Sequence, residues 1–109
     1  MEDDSMNGYS PELEEDVISE VGDDIDEPSM YKVLLHNDDY TTMEFVVEAL
    51  MAVFHKSPTE ANRIMLHIHF KGSGVCGAYP YEIAETKVSK VHDMARKEGF
   101  PLRCSLEQA

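Results

Sequence analysis

The densest chemistry in this 109-residue chain is Asn37-Asp38-Asp39, an amide and two carboxylates in consecutive positions. All three side chains offer hydrogen-bond acceptors. The apolar Met43 follows shortly after. Acceptors beside an apolar wall suit a small cationic group that carries a hydrophobe. Other readings of the same residues are open. Asp38 and Asp39 with His69 could perform general acid–base work in a small hydrolase, although no nucleophile, phosphate loop or cofactor fingerprint accompanies them. The plainest reading gives Asn37-Asp38-Asp39 no ligand at all, only a turn with cap residues. His69 alone is likewise more often a packed histidine than a ligand.

Cysteine and metal chemistry are weaker prospects. Cys76 and Cys104 stand among apolar, strand-like neighbours and not at a helix N-terminus, where a thiol pKa would be lowered. They read as reduced, buried, small apolar residues of a cytosolic protein. His36, His67, His69 and the two cysteines are the available metal ligands, but no CxxC or HxxxH spacing occurs. On a helix, His67 and His69 would point apart. No metal and no cofactor is expected.

The acceptor turn must be held by the elements around it. Tyr31, Val33 and Leu35 alternate with Lys32, which predicts a strand over 30–36. Thr41-Thr-Met-Glu44 has the form of a capping box, with the Thr41 hydroxyl accepting from the Glu44 amide and Glu44 reaching back to Thr41. A helix over about 42–55 follows, with Phe45, Val46, Ala49, Leu50, Val53 and Phe54 on its apolar face. Ser57-Pro58-Thr59-Glu60 is a second capping box, with Pro58 at the first helical position. The helix it opens spans about 58–70; Ala61, Ile64, Met65 and Ile68 share one side, and Gly72-Ser-Gly74 ends it. A strand over 75–79 and a helix over about 80–98 come next, the latter with an apolar stripe of Ile83, Ala84, Val88, Val91 and Ala95 and a stop at Gly99. Leu102, Cys104 and Leu106 share a face of a last strand over 101–106. The βααβαβ order predicts a compact α+β domain: one sheet with its helices on one face.

Charge separates this domain from what precedes it. Residues 1–28 hold 12 acids and no Lys or Arg, out of 22 acids and a net charge of −13 in the chain. Residues 29–109 keep 10 acids against 9 bases, a net of −1. The first stretch has too few apolar residues for a core, so it is expected to be a disordered acidic extension. It reads either as a solvated tail or as a tether; Leu13, Val17, Ile18 and Val21 have helical spacing for a partner. The folded part lacks the basic face of a nucleic-acid binder. No run of about 18 or more apolar residues is present, so no membrane span is expected, and the acidic N-terminus, which lacks an apolar h-region, is not expected to act as a secretory signal.

Beyond their physics, the residues carry a resemblance. The run Ser29-Met-Tyr-Lys-Val-Leu-Leu-His-Asn-Asp-Asp-Tyr-Thr-Thr-Met-Glu-Phe-Val46, the tetrad Ala84-Glu-Thr-Lys87 and the ending Pro101-Leu-Arg-Cys-Ser-Leu-Glu107 resemble the ClpS adaptor family. The resemblance covers about residues 29–109. It implies three antiparallel strands packed against three helices. It also implies a monomeric, cytoplasmic, non-enzymatic adaptor that binds proteins beginning with Leu, Phe, Tyr or Trp. The partner would be an AAA+ unfoldase of the Clp family, of ClpA type, feeding the ClpP protease, with no nucleic acid or membrane involved. Carried over by position, Asn37, Asp39 and His69 would bind the substrate α-amino group, with Asp38 adding negative field. Leu35, Thr41, Met43, Val46, Met65, Ile68 and Leu102 would line the pocket for the first side chain. Glu82 and Lys87 would contact the unfoldase. Thr42 stands where the family often has Pro, a change that an early helical position tolerates.

Overall fold

The structure, a computed structural model, describes residues 28–109. The disorder expected of the acidic stretch 1–28 concerns residues that, Pro28 apart, lie outside this range. Strand β1 (Met30–His36) is the centre of a three-stranded sheet. It is flanked on both sides by antiparallel partners, β2 (Ser73–Pro80) and β3 (Arg103–Gln108). Between them the chain forms helices α1 (Met43–Phe54), α2 (Pro58–Lys71) and α3 (Tyr81–Glu98). The expected βααβαβ order, antiparallel sheet and helical layer are all present.

The period-two pattern of β1 sends Val33 and Leu35 into the core, where both are fully buried. Leu35 lies opposite Gly74 on one side and Cys104 on the other. A register shift between Val33 and Leu34 leaves Cys76 as the extra residue of β2, and its side chain is buried. The apolar face of α1 packs down as its spacing predicts, from Phe45 to Phe54. Helix α2 buries Ala61, Met65 and Ile68, with Ile64 packed at the margin. Helix α3 buries Ala84, Val91 and Ala95. Phe45 and Phe100 meet edge to face at 5.1 Å, which closes the core under α1.

The helix ends follow their local chemistry, with two corrections. Ser57 Oγ accepts from the Glu60 amide at 3.2 Å, and Pro58 opens α2. Gly72 and Gly99 take left-handed conformations at φ 96° and 77° and stop α2 and α3. The first capping box, however, is displaced by one residue. Thr42, not Thr41, caps α1, its hydroxyl accepting from the Phe45 amide at 3.1 Å. Thr41 is unavailable because Asp38 binds both its amide and its hydroxyl. The second correction is Ile83. It falls on the apolar period of α3 but is 49% exposed: its neighbour Ala84 takes the core position of the first turn, and Ile83 lines a surface groove with Tyr31 and Pro80.

Candidate functional site

Strand β1 ends at His36, and the chain must turn before α1 starts at Met43. The Asn37 amide donates to the Gly72 carbonyl at 2.9 Å. Gly72 is the left-handed cap of α2, and its own amide returns to the Ile68 carbonyl. One backbone bond therefore ties the end of β1 to the last turn of α2. That junction brings Asn37 and His69, distant in sequence, to one pocket.

The turn itself is organised by Asp38. Its Oδ1 accepts from the amides of Tyr40 and Thr41 at 2.8 and 2.7 Å, and its Oδ2 accepts from the Thr41 hydroxyl at 2.7 Å. An aspartate that bonds its own backbone two and three residues on is a standard turn device. Slight burial pushes the carboxyl pKa up, but the three hydrogen bonds outweigh it and hold the group below its ordinary value. Asp38 is thus already committed within the protein. Asn37 and Asp39 differ: both are exposed, and among the described residues neither side chain has a hydrogen-bond partner. The His69 ring, also exposed, rests edge-on against Phe70 at 5.0 Å.

Below this polar rim opens a pocket of about 280 Å³. Asn37, Asp38, Asp39, Thr41 and His69 form its polar side, and Met43, Val46, Met65 and Ile68 form its apolar side. The first helix supplies Met43 and Val46, three residues apart and so on one face; α2 supplies Met65, Ile68 and His69 by the same periodicity. Met43 is 42% exposed at the mouth, while Val46, Met65 and Ile68 are buried. The cavity therefore joins a polar rim of acceptors to an apolar interior.

Nine of the residues named from the sequence thus meet in one cavity. Leu35 and Leu102 are not among its lining residues; both are buried in the hydrophobic core. Glu82 is exposed in the first turn of α3, on the groove that Ile83 also lines. Lys87 is partly buried, and its ammonium donates to the Val53 carbonyl at 2.8 Å and lies 5.4 Å from the centre of the Tyr79 ring. Helix α1 has no basic residue in its last turn, so Lys87 supplies the cation that this carbonyl end favours. Sequence reasoning missed that role, since nothing local links Lys87 to Val53. His36, given no role from sequence, bonds Ser105 across the sheet at 2.6 Å.

Other chemistries find little support in the geometry. Burial pushes both thiols up to about 12, and each is free. Among the described residues no three His, Cys, Asp or Glu side chains gather as metal ligands, and no helix is long and apolar enough to cross a membrane.

Comparison with known proteins follows the same line. Residues 26–105 match the family model described as ATP-dependent Clp protease adaptor protein ClpS. An ATP-dependent Clp protease adapter protein ClpS from Nitratidesulfovibrio vulgaris (strain DSM 19637 / Miyazaki F) is 61% identical over 88 residues, covering 81% of this chain and 88% of that protein. The protein of the same description from Desulfatibacillum aliphaticivorans is 59% identical over 92 residues, covering 84% and 88%. Among solved structures, Agrobacterium tumefaciens ClpS2 bound to L-phenylalaninamide superposes with a TM-score of 0.74 at 42% identity, covering 76% of this chain and all of that one.

Proposed function

The chain belongs to the ClpS family of ATP-dependent Clp protease adaptors, and from that premise we propose that its pocket reads the first residue of substrate proteins. It is an adaptor and not an enzyme; it binds N-degron proteins and delivers them to a Clp AAA+ unfoldase for degradation. The hydrolase alternative falls with that assignment, and Asp38, one of its intended acid–base groups, is spent on the turn.

The observation that carries the reading is the meeting, in one cavity, of apolar walls with the Asn37 and Asp39 acceptors, which have no side-chain partner among the described residues. Asn37 and Asp39 accept from the α-ammonium, and His69 contributes through a ring nitrogen that is free of a proton. Met43, Val46, Met65 and Ile68 enclose the first side chain. Asp38 acts mainly by holding the turn. L-phenylalaninamide, which the Agrobacterium protein holds, has the same two features: an α-amine and a large apolar side chain. Each hydrogen bond to a charged group contributes about 1.5–3 kcal/mol, and burying a Leu or Phe side chain about 1.5–3 kcal/mol. Association itself costs at least about 4 kcal/mol. Burial of the side chain does not cover that cost alone, so binding requires a free amine, and a large apolar first residue adds to the affinity that the amine supports.

Titration with peptides that differ only in the first residue tests this directly. Leu, Phe, Tyr and Trp should bind, whereas Ser, Glu and N-acetylated Leu should not. Equal binding of the acetylated peptide would refute the assignment of Asn37, Asp39 and His69. The unfoldase is read as ClpA-type and the compartment as the cytoplasm, where the two buried thiols remain reduced. Glu82 is the exposed residue proposed to face the unfoldase. The acidic residues 1–28 are read as a delivery arm attached to the recognition domain 29–109. Deleting residues 1–25 should spare peptide affinity and impair degradation by the unfoldase–protease complex.

A further inference from the structure

Met43 and Met65 line not one cavity but two. Beside the first pocket runs a shallow groove of about 340 Å³, lined by Met43, Glu44, Val47, Asn62 and Met65. It lies between the first turns of α1 and the start of α2. Three of its five walls are apolar. Its two polar groups present acceptors: Glu44 is an exposed carboxylate with no hydrogen bond or ion pair among the described residues. Asn62 donates one side-chain N–H to the Pro58 carbonyl at 2.8 Å, which leaves its Oδ1 free to accept, beside a second N–H. Among the described residues no basic side chain lines the groove. The nearby Arg63 is paired with Glu60, on the same helix.

Walls of this kind fit a long apolar stem that ends in a cation. We propose that this groove is a subsite for a Lys or Arg side chain at the second position of the substrate. The proposal rests on the reading of the first pocket. Met43 stands exposed at the mouth of the first pocket and lines the groove as well, so a chain whose first side chain is enclosed there can leave past Met43. Its next side chain then has the shared methionine wall within reach. The methylene stem lies on Met43, Val47 and Met65, and the ammonium or guanidinium reaches Glu44 and Asn62 Oδ1. Long cationic side chains bury their stems in this way while the charged head stays wet. Methionine thioethers on both sides of the partition let the two occupants adjust to one another.

The test uses the full chain and four ligands. Three are peptides beginning Leu-Lys, Leu-norleucine and Leu-Glu and otherwise identical; the fourth is L-phenylalaninamide, which has no second residue. An exposed ion pair gives at most about 1 kcal/mol, so Leu-Lys should bind about three- to fivefold tighter than Leu-norleucine at low salt. The gap should close in about 1 M salt. Leu-Glu should bind weakest. Glu44→Gln should remove the Lys advantage and leave L-phenylalaninamide within about twofold of the parent on the same scale. A Lys advantage that survives Glu44→Gln overturns the subsite. So does an equal weakening of L-phenylalaninamide, which would make Glu44 a field acting on the α-amine. Failure of the parent protein to bind L-phenylalaninamide overturns the first-pocket reading, and the subsite with it.

Discussion

Asp38 and Asp39 are adjacent carboxylates, and removing each should have a different consequence. In Asp38→Ala the turn loses three hydrogen bonds to a charged acceptor, two from amides and one from the Thr41 hydroxyl. Hydrogen bonds to a charged group contribute about 1.5–3 kcal/mol each. This turn is only partly buried, and the freed amides can turn to water, so the better comparison is loss of a helix cap, about 0.5–2 kcal/mol. If about 1.4 kcal/mol of that must be recovered whenever ligand orders the turn, affinity falls about tenfold. Asp38→Asn behaves otherwise. Its remaining Oδ1 can still accept from Tyr40 and Thr41, and its Nδ2 can donate to the Thr41 hydroxyl in place of accepting from it. Only the charge is lost. At a separation of about 7 Å in water that charge attracts an ammonium by about 0.6 kcal/mol, or less when salt screens it, which is a factor of about two to three.

The assay is fluorescence anisotropy of a Phe-initiated peptide at physiological salt, for Asp38→Ala, Asp38→Asn and Asp39→Asn. The expected order of damage is Asp39→Asn most, Asp38→Ala next, Asp38→Asn least. Equal, severe losses in the two Asp38 variants would refute the division of labour and make Asp38 a direct amine ligand. The pH dependence provides a second check. A carboxyl held below its ordinary value of 3.8 contributes its full stabilisation above that value and loses it as pH falls through the lowered folded value. The Tyr40 and Thr41 amide resonances should therefore hold steady from neutral pH down to about 4 and move only below it.

Met43→Ala should admit Val- and Ile-initiated peptides, because residues branched at Cβ are rigid where the Met43 side chain narrows the mouth; continued rejection of both would place the gate at Val46 or Met65. Lys87→Met should lower thermal stability by about 1 kcal/mol, or about 4–8 °C, by uncapping α1 at Val53, while affinity for a Phe-initiated peptide stays near that of the parent; an unchanged melting temperature would return Lys87 to a purely partner-facing role. Cys76 and Cys104, pushed up to about 12 by burial, should resist iodoacetamide at pH 8 in the folded protein and react fully in guanidinium, as read by mass spectrometry.

Much of the fold is legible because most of its signals are local. The alternation of Val33 and Leu35, the helical spacing in α1 and α2, Ser57-Pro58 and the two glycine stops each act over a few residues. Two adjacent threonines show where local code runs out. Thr41 and Thr42 are equal as caps by type, and Asp38 decides between them by taking Thr41 for the turn. The stop of α1 is also hard to read, since it is His55 that adopts φ 58°, without glycine's freedom. Ile83 misleads for the opposite reason: its period is right, but it lies at the margin of the core and stays half exposed in a surface groove.

The site divides along the same boundary. The acceptor turn and Met43 are visible as chemistry because they lie within one short stretch. The contribution of α2 is not, for no spacing rule connects Asn37 to His69. That connection depends on the backbone bond from Asn37 to Gly72, which exists only once the left-handed end of α2 meets the end of β1. Resemblance to a family could name His69; only the packed junction explains why a residue so far along the chain faces the same cavity. It also explains why Gly72 should be more sensitive than its exposure suggests. A side chain there has open space but the wrong φ, so a substitution would strain the cap and, through it, displace Asn37 and His69 together.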